Sequence, residues 1–507
     1  MSSELRRLPR RRRWWCKALM RDAKKIQSAM SRRDLLRGGL AVGAASLATR
    51  ATFAEQSSPV LHERPATSER RFRSPAVEDT IAQVKAQIAD STLAIMFENC
   101  LPNTLDTTVS PDIFGGKPDT FVITGDIDAM WLRDSSAQMW PYLPFCKQDP
   151  RLADLIEGVM HRQARCILLD PYANAFLRSA NDAPLSWSLH DDTEMKPGVG
   201  ERKWEIDSLC YPIRLAHGYW QATGDGRAFD AEWKQAAQTI VKTFREQQRK
   251  NGHGPYRFQR SSPVMTETLA LGGYGNPAVP TGMIFSMFRP SDDACIYPLF
   301  IPANLFAVTS LGQLAGIADE IYHDSAFALE CHQLALEVSA ALDRYGKVRH
   351  GEHGSIWAYE VDGYGGVALM DDANAPGILS LSYLGCVQPN DPLYRASRNF
   401  AWSKGNPYFF QGTAGEGIGG PHQGLDYIWP MSIILRAFSS TSDAETRQCL
   451  RWLRNTTAGT NFMHESFHKD DAAKYTRSWF AWANGLFGEL ILHLAKNSPS
   501  LLKQNFA

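Results

Sequence analysis

The chain has no Cys-x-x-Cys pair and no histidine cluster at metal-ligand spacing. A clustered zinc or iron–sulfur site is thereby excluded, and neither a metal nor a cofactor is expected. The cysteines are scattered: Cys16 lies near the N-terminus, followed by Cys100, Cys146, Cys166, Cys210, Cys295, Cys331, Cys386 and Cys449. Most of the last eight are expected to be buried free thiols that pack as small hydrophobes. Their even number permits disulfides, but their spacing pairs none. Long apolar runs are also missing. The weakly apolar stretch from Gly38 to Thr49 falls short of the roughly 20 residues a membrane span needs, and nothing later reads as long and apolar enough. Alternating β-patterns are thin, and no repeat of 20 to 50 residues is visible. The glycine-rich run Gly412 to Gly420 is not a phosphate loop, having no following Lys-Ser/Thr and no preceding strand.

The balance of charge is misleading. Lys plus Arg and Asp plus Glu both number 54, yet residues 1–54 hold fourteen of the bases and three of the acids. The remainder is therefore acidic, which argues against nucleic acid as a partner. Within the basic head, Ser31-Arg32-Arg33-Asp34-Leu35-Leu36 precedes the apolar stretch, and Thr52-Phe53-Ala54 offers the small residues a signal peptidase reads. This pattern predicts a Tat-type signal over 1–54, export to the periplasm or beyond, and no stable membrane insertion. If translation starts at Met30, residues 1–29 lie upstream of the protein. Residues 55–75, polar with scattered Pro and Ser, read as a linker. Residues 76–507 read as a single domain.

That domain reads as helical. Asp230 can cap a helix with Trp233, Ala237, Ile240, Val241 and Phe244 on one face. Asp324 and Ser325 can cap a second that runs from Phe327 to Tyr345 with Gly346 as its stop, and Ser442 with Glu445 forms a capping box for a third. Further helices are expected near 77–100, 150–169, 207–222, 302–322, 376–386, 391–403, 425–440 and 475–495, with room for one more within 124–143. In Trp220-Gln221-Ala222-Thr223-Gly224-Asp225, Gly closes one helix and Asp opens the next. About twelve helices joined as hairpins predict an all-α fold, an (α/α)6 toroid. Residues 251–290 and 345–372, rich in Gly and Pro, are expected as loops with short β-hairpins.

The chemistry concentrates in the stretch from Thr124 to Leu143, which packs Asp126, Asp128, Trp131, Arg133, Asp134 and Trp140 into twenty positions. Carboxylates and a guanidinium hydrogen-bond vicinal hydroxyls, while indole covers the apolar face of a pyranose. The same residue types also suit a salt-bridged helix start with core tryptophans. Four further strings stand out: Trp204-Glu205-Ile206-Asp207-Ser208, Phe288-Arg289-Pro290-Ser291-Asp292-Asp293-Ala294, Gly412 to His422, and Met463-His464-Glu465-Ser466-Phe467. Cleavage of a glycoside needs two carboxyls of opposite role. Asp292 and Asp293 are a source of the acid, since adjacent carboxyls repel when both are ionised. Arg289 could hold one of them ionised, and one could cap a following helix.

All five strings, in this order, resemble glycoside hydrolase family 125, the metal-independent exo-α-1,6-mannosidases. The resemblance implies a toroid, an inverting mechanism and an α-mannoside glycan as partner; the protein is expected to be a monomer. It places the general acid within Asp292 and Asp293, with Asp292 favoured, and the general base at Glu465. It implies that Trp131, Arg133 and Asp134 grip the terminal mannose, with Asp207, His422 and His464 as further sugar contacts. For Asp207 and His464 the residues alone fit structural roles equally, an N-cap and a buried histidine. Other readings are a toroidal glycosidase for another sugar, a non-catalytic glycan-binding protein, or an exported metalloenzyme. A degenerate binder would have lost one carboxyl position, and no ligand cluster supports a metal.

The processing expectation is checked by N-terminal sequencing of exported protein, which should begin near Glu55. A mature chain that retains Arg32-Arg33 would refute it.

Overall fold

A computed structural model describes residues 63–506, within one compact unit. The signal, its cleavage site and Cys16 lie outside the described residues. The expected linker is in part tied down: Arg64 bonds Glu78 and Asp106 at 2.7 and 2.8 Å, its side chain 8% exposed. From Arg64 onward the chain is therefore attached to the body.

Twelve helices of eight residues or more follow among the described residues. They are α1 Pro75–Lys85, α2 Ser91–Cys100, α3 Leu132–Met139, α4 Pro150–Leu169, α5 Ile206–Thr223 and α6 Ala231–Gln247. The C-terminal half adds α7 Ile301–Glu320, α8 Ser325–Tyr345, α9 Pro392–Ala401, α10 Pro430–Phe438, α11 Asp443–Asn455 and α12 Ala481–Asn497. Short helical turns occur at Asn103–Thr107, Ala270–Gly273 and Pro499–Leu502.

The helices sort into two sets by how they begin. One set starts with a side-chain cap: Ser74 for α1, Asp90 for α2, Asp149 for α4, Asp230 for α6, Asp324 for α8, Asp391 for α9 and Ser442 for α11. Each accepts an otherwise unpaired first-turn N–H. The other set has none: α3, α5, α7, α10 and α12 start at Trp131, Glu205, Phe300, Trp429 and Phe480. The uncapped helices pack on one another, α3 on α5, α5 on α7, α10 on α12 and α12 on α3. Capped partners lie against them, α8 on α7, α11 on α10 and α2 on α12. Alternating capped outer and uncapped inner helices make an α/α toroid.

Several expectations change. The helix expected at 376–386 is a run of turns after the cis Ala375–Pro376 bond. The Asp371 carboxylate accepts from the Ile378 and Leu379 amides at 2.7 and 3.0 Å and shapes that run. Gly224 closes α5 in the left-handed region, with φ +73°, but α6 opens at Asp230, not at Asp225. Helix α7 is long and apolar enough to cross a membrane, contrary to the reading that none is; 67% of its apolar window is buried inside the fold. All-α is too narrow a description, because six small antiparallel sheets are present among the described residues. The hairpin at 347–357 lies where one was expected. The hairpin 109–122, pairing Val109 with Val122, and the sheet of 427–428, 466–468 and 471–476 were not foreseen. Along their six-residue strands buried and exposed residues do not alternate, so there is no period of two to read.

Helix α4 packs on the 109–122 hairpin through Gly158, where a Cβ would stand 2.9 Å from the backbone of Asp119 and Thr120. Gly158→Ala should therefore destabilise the fold by about 1–3 kcal/mol, despite alanine's better helix propensity. Thermal unfolding checks this; an unchanged or higher Tm would contradict it.

Candidate active site

Uncapped helix starts build one end of a pocket of about 430 Å³. Trp131 and Trp429, which precede α3 and α10, line it together with Phe480 and Trp482 at the start of α12. Trp131 is held by a short sheet, paired with Ala175. The indole nitrogens of Trp131 and Trp429 are buried and have no hydrogen-bond acceptor. A ligand with hydroxyl oxygens can satisfy them.

Arg133, in the first turn of α3, is the centre of charge. It lies 3.5 Å from Asp134, 3.4 Å from Asp207 and 3.1 Å from Asp292, and it bonds Glu205. Asp134 also accepts from Thr124 Oγ1 at 2.7 Å. Burial raises the Asp134 carboxyl, against the pull of Arg133. Asp207 is fully buried, and burial lifts it to about 6 against the same guanidinium.

Asp292 sits in a tight turn with φ +63°. Its amide donates to Arg289 O at 2.9 Å, and its carbonyl accepts from Lys203 Nζ at 2.8 Å. Asn174 Nδ2 reaches its carboxylate at 3.2 Å. A non-glycine residue held in the left-handed region at a pocket wall is the kind of strain that functional sites retain. Burial pushes the Asp292 carboxyl up, but Arg133 and then Lys203 pull it below the ordinary carboxylate range.

In the same pocket, Glu465 precedes the strand Ser466–His468. Its carboxylate accepts from Gln423 Nε2 at 2.7 Å and Thr476 Oγ1 at 2.9 Å, and faces Arg477 at 3.6 Å. In the glycine-rich loop the backbone passes close to its neighbour: a Cβ on Gly419 would lie 2.0 Å from Tyr427 O. That loop carries His422 to the pocket wall.

Trp131, Arg133, Asp134, Asp292, His422 and Glu465 thus line one pocket, as the sequence suggested. Three expected residues do not. Asp293 is buried behind His422, 3.8 Å from its Nδ1, and bonds Ser291 Oγ at 3.1 Å. Neither it nor Asp292 caps a helix, since none follows until Ile301. Arg289 is spent mainly on Glu360, at 2.6 Å. Asp207 lies within the first turn of α5 and backs Arg133 instead of capping the helix. His464 stacks on Tyr475 at 3.9 Å and directs Nδ1 to the Arg477 and Ser478 carbonyls; it is a buried structural histidine. The sequence reading missed Asn374, Trp429, Arg477, Phe480 and Trp482 in the lining, and Asn174, Lys203 and Glu205 behind it. The clustering of Trp479, Phe480 and Trp482 before a helix was the available signal. Among the described residues no group of three or more His, Cys, Asp or Glu could hold a metal ion.

Three carboxyls, Asp134, Asp292 and Glu465, on one aromatic-walled pocket in a helical toroid are the kind of arrangement that a glycoside hydrolase uses. Residues 90–492 match the family described as metal-independent alpha-mannosidase (GH125), and the chain belongs to it. It is 43% identical to the meiotically up-regulated gene 157 protein of Schizosaccharomyces pombe, over 87% of this chain and 90% of that protein. It is also similar to a metal-independent alpha mannosidase of Streptococcus pneumoniae, solved in a non-productive complex with alpha-1,6-mannobiose. That similarity has a TM-score of 0.80 at 38% identity and covers 83% of this chain and 99% of that one.

His422 offers a test of the site's electrostatics. Burial opposes its charge, but Asp293, then Glu465 and Asp292, raise the imidazole from 6.5 to about 9. A raised folded value means that its contribution to stability is complete below pH 6.5 and is lost as the pH rises towards about 9. The side chain is 31% exposed, so screening keeps that contribution small. NMR titration should place His422 near pH 9, and Asp293→Asn should return it towards its ordinary value. A wild-type midpoint near 6.5 would refute the arrangement.

Proposed function

We propose that this α-mannosidase is exo-acting and removes non-reducing terminal α-1,6-linked mannose with inversion. The observation that carries the reading is that Asp292 and Glu465 line the same pocket and are held by separate sets of donors. The α-1,6-mannobiose bound by the pneumococcal relative supports the linkage.

In this reading Arg133 and Asp134 take hydroxyls of the terminal mannose, and Trp131, Trp429 and Phe480 cover its apolar surface. Asp292 gives a proton to the glycosidic oxygen. The C–O bond breaks and its electron pair stays on the leaving oxygen. A water on the opposite face attacks the anomeric carbon and gives its proton to Glu465. The fold is read as six helical hairpins, with the turns of 377–385 in place of the fourth inner helix. The protein is read as an exported monomer, carried by a Tat-type signal, whose partner is an α-mannoside glycan.

The roles separate by leaving group. Asp292→Asn should cut turnover of α-1,6-mannobiose by about 10²–10⁴-fold and that of an activated aryl mannoside far less. Asp293→Asn should show no such contrast. Glu465→Gln should slow both substrates alike, since water attack is then unassisted. NMR should show β-mannose as the first product. If α-mannose appears first, or if Glu465→Gln keeps the wild-type rate, the assignment fails. Cleavage of α-1,2- or α-1,3-mannobiose in preference would overturn the linkage.

A further inference from the structure

The acid of the proposed mechanism must hold a proton before it can deliver one, and the surroundings of Asp292 bear on where that proton rests. Four carboxyls, Asp134, Glu205, Asp207 and Asp292, surround the one guanidinium of Arg133. All are buried except Asp292, whose side chain is 23% exposed. Full ionisation would leave a net charge of −3 in a space with little water, and such groups take up protons instead. The nearby Lys203 does not cancel this excess. Its Nζ bonds the Asp292 carbonyl and lies 3.3 Å from Glu267 and 3.8 Å from Glu201.

Glu205 is the place for the proton. One carboxyl oxygen, Oε2, is engaged by Arg133 and by Ser208 Oγ at 2.8 Å. The other, Oε1, is buried and meets no donor. The Asp292 and Glu205 carboxyls meet at one guanidinium, Asp292 on Nη2 and Glu205 on Nη1 of Arg133, and each bears on the protonation of the other. Two carboxyls can share a hydrogen bond only if one of them is protonated. Asp292 opens on the pocket and Glu205 does not. Burial raises Glu205 well above the usual range, against Arg133, with the Asp292 and Asp207 charges adding to the rise.

We propose that Glu205 carries, in the resting enzyme, the proton that Asp292 delivers to the glycosidic oxygen. The proposal rests on Asp292 being the acid. Glu205 passes its proton to the ionised Asp292 carboxylate, and Asp292 gives one proton to the leaving oxygen, so that Asp292 ends ionised as it began. Glu205 is then left as a carboxylate against Arg133. Glu465 has taken one proton from water, which it returns to solvent, and solvent restores the proton of Glu205, so the cycle balances. Glu205 does not touch substrate in this scheme; it is a positioning residue. The charged groups that face Asp292 are Arg133 and Asp134 of α3, Glu205 and Asp207 at the start of α5 and Lys203 before it, His422 of the glycine-rich loop, and Arg477.

The test compares pH–rate profiles of the full chain, wild type against Glu205→Gln, Glu205→Asp and Asp292→Asn, with α-1,6-mannobiose and an aryl α-mannoside. Glutamine can hydrogen-bond Asp292 but has no proton to pass. Glu205→Gln should lose about 100-fold in kcat on mannobiose, with much less loss on the aryl substrate. The alkaline limb of its kcat profile should move about one pH unit towards acid, mannose affinity should hold, and Glu205→Asp should recover part of the rate. A slowed Glu205→Gln with an unmoved alkaline limb, or one with no loss, overturns the proposal. If Glu205→Gln does not fold, Ser208→Ala removes a donor to Oε2 and so favours protonated Glu205; the alkaline limb should then move towards alkali, and no movement overturns the proposal equally. Should Asp292→Asn show no leaving-group contrast, it is the acid assignment itself that falls.

Discussion

The geometry of the site depends on one guanidinium. Arg133 reaches from the first turn of α3 to both acids at the start of α5 and to the turn that carries Asp292. Three segments far apart in sequence meet at that one group. Its planar fork of donors suits it to this, since one side chain can serve several carboxyls in a fixed arrangement. Burial would make each of those acids costly alone. Together with Arg133 they are tolerable only as a set, and each member fixes where the others stand.

Inner and outer helices divide the work. Outer helices begin with Asp or Ser that satisfies first-turn amides. Inner helices begin with Trp, Glu or Phe, residues that leave the amides without a side-chain acceptor and instead supply indole, phenyl and carboxyl groups to the pocket end. Open helix starts also favour nearby negative charge. That suits a pocket walled by Asp134, Asp292 and Glu465.

This division explains what could be read from the letters. Asp230, Asp324 and Ser442 are caps with a local signature, so the outer helices were found close to their observed bounds. Of the site, the residues inside compact strings were found: Arg133, Asp134, Asp292 and Glu465 stand among glycines, acids and aromatics that share one turn. Arg477 and Asn374 were not, because what brings them to the pocket is strand pairing and a turn, and neither leaves a periodic trace. Asp207 and His464 show the converse. They occupy conspicuous strings, yet tertiary packing turned them inward, towards Arg133 and Tyr475. Nothing local distinguishes a polar residue that supports a site from one that touches the ligand.

The eight cysteines of the described residues are all free, and seven are buried. Burial raises the thiols of Cys146, Cys166, Cys331, Cys386 and Cys449 to about 12, so the reactive thiolate is scarce at each. The folded body therefore neither draws on a disulfide nor offers a ready thiol for one. Among the described residues no covalent link has to be made or broken for the fold to suit either reducing or oxidising surroundings.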